Sequence, residues 1–196
     1  MTETGFANTA IDAAHAFRAI MHAMARPGSV VALDAPLRPP APLNSVSAAV
    51  ALTLCDFQTP VWLSPALADA HAVHYLKFHT GAPVAGHAGE AQFVFLSAEE
   101  EMPSLPLLAQ GTHEYPDRSA TLVIQVQSFH QRGARLSGPG INGAVDFGVE
   151  GITPSFWAAM ADNHARFPVG ADVIFAAPHS IAAVPRSSAI QIQENV

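Results

Sequence analysis

Apolar residues along this chain come either in short unbroken runs or at helical spacing, and the best bounded run is Thr121 to Val126. Turn chemistry at Tyr115-Pro116-Asp117 precedes it and a polar gap from Ser128 to Gly133 follows, so it reads as a buried strand. Both ends carry polar residues that a plain core strand does not require. His113, Glu114, Asp117 and Arg118 lie on the way in; Arg135, Ser137 and the turn Gly138-Pro139-Gly140 follow a second short strand.

The same punctuation divides the rest of the chain. Asn8 or Thr9 caps a first helix to about Ala25, in which Phe17, Ile20, Met21 and Met24 form one buried stripe, and Arg26-Pro27-Gly28 stops it. Ser29 to Leu33 is a short strand. Four prolines in Asp34 to Leu43 make that segment an extended connection over the surface, able to serve as an arm. A helix capped by Asn44 or Ser45 runs to Leu54, and Val61 to Leu63 is a strand. Ser64-Pro65 then opens a helical region reaching Phe78. Phe93 to Leu96 is a strand, Glu99 to Glu101 an acidic loop or helix start, and Leu105 to Ala109 one apolar helical turn or two. Order weakens beyond Ile141 until Thr153-Pro154, which opens a helix to about His164. Asp172 to Ala176 and Ile181 to Val184 are strands, and the tail from about residue 187 to 196 reads as loose. Alternating strands and helices predict one domain over residues 1–196: a mixed, largely parallel sheet with helices on both faces.

Composition sharpens this picture. Charged residues are only 13% of the chain and apolar residues 49%, whereas an ordinary domain carries about 25% charged. Part of the apolar excess is therefore expected at interfaces, as in an obligate oligomer or a complex subunit. A net charge of −7, with eight Arg and one Lys, argues against nucleic acid. No long apolar run and no signal-peptide pattern point to a membrane, and the single cysteine, Cys55, fits a reducing cytoplasm.

Chemistry is harder to find. Ten histidines include His71 and His74 on one helical face, but no HExxH forms, since Pro116 follows His113-Glu114-Tyr115. We therefore expect no metal. Cys55 lies beside Asp56, which disfavours a thiolate, and reads as a small buried side chain. GxSxG, GxxxxGK[ST] and GxGxxG are all missing. What remains is a set of binding candidates: Tyr115, Asp117 and Arg118, together with Arg135, Ser137, Gly138, Gly140 and Arg26. Arg118 with Arg135 or Arg26 would clamp a phosphate if the fold joined them. Gly138-Pro139-Gly140 reads foremost as a sharp turn.

Seven blocks, taken in order, carry a family resemblance. They are Phe17 to Gly28, Leu52 to Leu63, Phe78 to Pro83, Gly111 to Val126, Arg135 to Ile141, Phe167 to Phe175 and Val184-Pro185-Arg186. Together they resemble the PhnH family, the H subunit of the bacterial carbon–phosphorus lyase core complex. Cys55 and Ser187-Ser188 depart from the usual residues of that pattern. The resemblance implies a homodimeric three-layer α/β/α sandwich similar to the large domain of type I pyridoxal-phosphate transferases, without the cofactor. Lys77, the one lysine, sits beside Phe78-His79 rather than in a cofactor loop. It also implies work with G, I and L subunits in forming ribose 1-phosphonate 5-triphosphate from ATP and a phosphonate, before a J subunit cleaves the carbon–phosphorus bond. No catalytic residue is carried over. The expected role is a non-catalytic dimerising and docking subunit; the alternatives are a triphosphate- or phosphonate-binding part of an active site, or an independent small-molecule binding protein.

Overall fold

The computed structural model describes residues 4–193. In chain order its elements are α1 (Thr9–Ala25), β1 (Val31–Ala32), α2 (Ser45–Leu54), β2 (Val61–Leu63), α3 (Ala70–Thr80), β3 (Phe93–Ser97), β4 (Thr121–Gln125), β5 (Phe129–Ser137), β6 (Ala144–Val149), α4 (Pro154–His164), β7 (Asp172–Ala177), β8 (Ser180–Val184) and β9 (Ala189–Ile192). Single 3-10 turns cover Ala88–Glu90, Leu105–Leu107 and Pro116–Arg118.

A six-stranded sheet in the order β1-β8-β7-β4-β3-β2 forms the centre. Strands β2, β3, β4 and β7 are parallel, and β8 and β1 close one edge antiparallel. Strand β4 lies between β3 and β7, with Val123 opposite both Phe95 and Ile174. Leu122, Val123 and Ile124 are all buried, which is why this strand is a continuous apolar run rather than an alternating one. One face of the sheet, including Phe95, Val123 and Ile174, packs on α1, α2 and α3. The other face, including Leu122, Ile124 and Phe175, packs on α4 and on a second sheet, β6-β5-β9, which is antiparallel. The β2–β3 connection crosses the first face, while the β3–β4 and β4–β7 connections cross the second. All three steps run in one direction across the sheet, so their crossovers are not all of one hand.

The fold is thus α/β with a mixed, mostly parallel sheet, and the expected layer of helices on both faces is corrected on the second face. There a single long helix shares the cover with three strands. The aromatic rings of Phe147, Trp157 and Phe175 join the small sheet, α4 and the main sheet, with centroids 6.0 to 6.1 Å apart.

Local details explain other departures from expectation. The cap on α1 is Asn8, whose side chain accepts from the Ile11 N–H while Asp12 accepts from the Asn8 N–H. Its buried stripe is Ala16, Ala19, Ile20 and Ala23; Phe17 and Met21 stand 45% and 52% exposed. Alanines let α1 lie close to α2 and β8, and close packing turns the larger side chains outward. The third helix begins at Ala70, capped by Asp69, because the Ser64 carbonyl accepts from both Leu67 and Ala68 and closes a turn first. The proline-rich segment is no free arm, since Leu37 and Leu43 are buried. The polar gap after β4 and the weak order beyond Ile141 are β5 and β6, joined with a bulge between His130 and Ala134. The expected loose tail forms β9, paired with Ala134 to Ser137 of β5; residues 1–3 and 194–196 lie outside the described residues.

Two glycines let α1 end against the β5–β6 hairpin. At φ +78°, Gly28 puts its backbone against Val145 and Leu136. Gly140, at φ +82°, lies so close to Ala25 that a Cβ there would sit 2.0 Å from the Ala25 carbonyl oxygen. We expect Gly140→Ala to lower stability by roughly 1–3 kcal/mol through strain and overpacking. A urea melt checks this, and a midpoint equal to wild type would show the contact to be loose.

Candidate functional site

A buried ion pair joins the start of β7 to the exit of β8, and its arginine also reaches the turn before β4. The antiparallel register that places Val173 opposite Val184 brings Asp172, at the start of β7, beside Arg186, just past β8. The Arg186 Nη2 lies 2.7 Å from one Asp172 carboxylate oxygen, while its Nε (3.2 Å) and backbone N–H (2.8 Å) donate to the other. Its Nη1 donates to the carbonyl of Pro116 at 2.7 Å and to that of Pro168 at 3.5 Å. Both side chains are nearly sealed from water, 14% and 12% exposed.

This pair holds the Pro116–Arg118 turn in place, and with it three of the sequence candidates. The Arg118 guanidinium carbon lies 4.1 Å above the centre of the half-exposed Tyr115 ring, a cation–π contact. Asp117 is exposed on the same turn. Arg135 is on the outer side of the small sheet, 3.2 Å from Asp146. Ser137 ends β5, between Ala144 and Ala189. Gly138 backs onto Ser187, and Gly140 with Arg26 lines a shallow groove where α1 ends. Tyr115 and Arg118 are therefore brought together, and so are Arg26 and Gly140. The three guanidinium groups are not: each is engaged with, or placed beside, different neighbours, and no phosphate clamp is assembled.

The larger concavities lie elsewhere, at the carboxyl ends of β3, β4 and β7, where open α/β sheets hold their ligands. A cleft of about 500 Å³ is walled by Asn44, Ser97, Gln125, Gln127 and Glu150, among others. Its floor is built by a network around the start of α2. The Gln125 side chain accepts from the Asn44 N–H at 2.6 Å and donates to the Pro42 carbonyl at 3.1 Å. The Asn44 side chain donates to the Ala176 carbonyl at 2.9 Å and caps Ser47 at 2.7 Å.

Beside this cleft the acidic loop after β3 is pinned by its middle residue. The Glu100 carboxylate accepts from the Ser64 hydroxyl, from the Ala66 N–H at 3.0 Å and from the Ser97 N–H at 3.2 Å. Burial pushes its pKa up, yet these donors outweigh burial and hold it below the ordinary 4.5. Glu99 and Glu101, on either side, are exposed.

Sequence reasoning noted the acidic loop but missed the cleft. The signal available was position: an acidic run directly after a parallel strand lies at its carboxyl end. Two other sequence candidates are now placed. Cys55 is buried at the end of α2, and burial first, Asp56 second, pushes its thiol up to about 12. Lys77 is exposed on α3. Among the described residues no group of three His, Cys, Asp or Glu side chains is arranged to hold a metal, and no helix is long and apolar enough to cross a membrane.

These features define an α/β protein built on a mixed, mostly parallel sheet, with its main concavity at the strand carboxyl ends and a pinned aromatic–arginine turn at the opposite end. The chain belongs to the PhnH family, described as bacterial phosphonate metabolism protein, whose profile matches residues 4–191. It is 40% identical over 187 residues to the Rhizobium meliloti alpha-D-ribose 1-methylphosphonate 5-triphosphate synthase subunit PhnH, covering 95% of this chain and 94% of that protein. It is also 31% identical over 205 residues, 98% of each chain, to a Stutzerimonas stutzeri protein provisionally named C-P lyase subunit protein HtxG.

The linkage at Glu100 gives a pH signature. A carboxyl whose folded pKa is depressed adds stability that is complete above its unfolded value and disappears as pH falls through the folded one. Glu100→Gln should therefore cost about 1 kcal/mol at neutral pH and flatten the fall in stability below the ordinary 4.5. Urea melts across the acid range measure both effects, and parallel curves for the two proteins would remove Glu100 from the account.

Proposed function

We propose that this chain is the H-type subunit of a carbon–phosphorus lyase system. In this reading it is required, with G, I and L companions, for forming ribose 1-phosphonate 5-triphosphate from ATP and a phosphonate, upstream of the J subunit that cleaves the carbon–phosphorus bond. The support is the near full-length likeness to subunits whose names place them in such systems. Its own part is to dimerise and dock, on a cytoplasmic scaffold related to the large domain of type I pyridoxal-phosphate transferases but used without the cofactor.

The observation that carries the docking role is the outward face of α1. Ile11, Phe17 and Met21 are all about half exposed, and Phe17 and Met21 lie one helical turn apart, with the small residues Ala10, Ala14 and Ala25 also exposed. Such a stripe of large and small apolar residues is helix-packing surface without a partner among the described residues. Replacing Phe17 and Met21 together by Ser should reduce the native mass of the purified chain or strip its co-purifying partners. It should leave the thermal midpoint of the isolated chain nearly unchanged, since exposed side chains carry little of the fold. Native mass spectrometry reads the first effect and calorimetry the second; an unaltered assembly would remove α1 from the interface.

A second reading, in which this subunit completes an active site, draws support from the exposed Arg118 held over Tyr115, a charged and planar surface suited to phosphate. Arg118→Ala separates the two. Lost assembly belongs to docking, whereas lost turnover in an intact assembly belongs to the active-site reading.

A further inference from the structure

The cleft walled by Gln125 and Glu150 is not isolated. A neighbouring cleft of about 640 Å³ shares Ala98, Glu99 and Gly151 with it and continues to the first turns of α4. Each is the size of a small-molecule pocket. Side by side, with Ala98, Glu99 and Gly151 between them, they make a two-lobed trough, a shape suited to an extended chain.

The chemistry of the trough is one-sided. The first lobe has the polar Asn44–Gln125 floor already described, while the second is lined by the half-buried apolar residues Met102, Pro103 and Ala159, with Leu105 and Phe156 almost fully buried beside them. Along the rim stand the exposed carboxylates Glu99, Glu101 and Glu150. Glu100 is turned inward and spent on the loop itself, so the flanking carboxylates are held at the rim by a pinned backbone. Among the described residues no Lys, Arg or His lines either lobe. Carboxylates facing a concavity repel a phosphate and attract a cation, so this trough disfavours a metal-free triphosphate or phosphonate.

We infer that the trough is a docking groove for an extended segment of a partner chain in which basic and apolar side chains alternate. The apolar side chains lie in the second lobe against Met102, Pro103 and Ala159, and the Lys or Arg side chains reach Glu99, Glu101 and Glu150. Alternation follows from extended backbone, whose side chains point to opposite sides in turn. This inference rests on the subunit reading above for the existence of a partner, but not on the α1 stripe.

Fluorescence anisotropy with the purified full chain tests the groove directly, using a short labelled peptide of alternating Arg and Leu. Saturable binding is expected, weakening as salt rises and falling about tenfold in the triple variant Glu99→Gln, Glu101→Gln, Glu150→Gln. The same peptide with Glu in place of Arg should not bind. Equal affinity for wild type and triple variant, no saturable binding, or displacement of the peptide by inorganic triphosphate from wild type overturns the inference. A second measurement uses the assembly recovered from the source cells. Gln127→Cys, exposed at the trough wall, is labelled with a benzophenone maleimide, for which buried Cys55 does not compete. A photo-adduct on a basic–apolar segment of another chain supports the groove; no adduct, or an adduct on an acidic segment alone, contradicts it. Recovery of the chain with no partner at all is a different result, because it removes the subunit reading while leaving the peptide measurement to judge the groove.

Discussion

The ion pair between Arg186 and Asp172 is the constraint around which this structure closes. Burying two charges costs several kcal/mol per ion, and the cost is offset only where geometry is good and the remaining donors are satisfied. Here the Arg186 side chain meets both carboxylate oxygens, and its spare donor capacity goes to the carbonyls of Pro116 and Pro168. One side chain therefore ties the turn before β4, the turn before β7 and the exit from β8. Past it the chain turns into β9, which completes the small sheet beside β5. Removing either partner would leave the other buried and unpaired, which is costly in a way that losing an exposed pair such as Arg135–Asp146 is not.

From that tie follows the polarity of the molecule. Its amino-end surface is built of turns pinned from within, and presents Tyr115 and Arg118 with the exposed Phe167 beside the same anchor. Aromatic and arginine side chains on a rigid base are the composition that dominates binding energy at protein interfaces. The carboxyl-end surface is concave and acidic, floored by the Asn44–Gln125 network and edged by the loop that Glu100 pins. The α1 stripe lies on the helical face of the main sheet. A low-charge chain thus distributes its apolar excess over distinct surfaces, as a subunit with several neighbours would.

Much of the fold was legible in residues that punctuate it. Asn44 before α2, Pro154 opening α4, Arg26-Pro27-Gly28 after α1 and the aliphatic run of β4 each mark an element by local chemistry alone. The strands β5, β6 and β9 were not legible in that way. They are half exposed, so their outward positions are polar, and a bulge between His130 and Ala134 breaks the alternation that would betray a strand. The start of α3 is hidden in the sequence because Ser64-Pro65 resembles a cap, whereas the Ser64 hydroxyl is taken by Glu100 across 36 residues of sequence. The site shows the same limit. Tyr115 and Arg118 are near neighbours in sequence and in space, but Asn44 and Gln125 meet across 81 residues, and Arg186 finds Asp172 only through the β7–β8 register. Contacts set by sheet topology leave no local trace.

The central claim is that this chain works as one subunit of a larger assembly. The most direct test is the native mass of the tagged protein drawn from phosphate-starved cells of its own source, with the co-purifying chains identified by mass spectrometry. The account predicts a high-mass species containing the G, I and J subunits alongside this chain. A lone monomer or dimer at every salt concentration would contradict it.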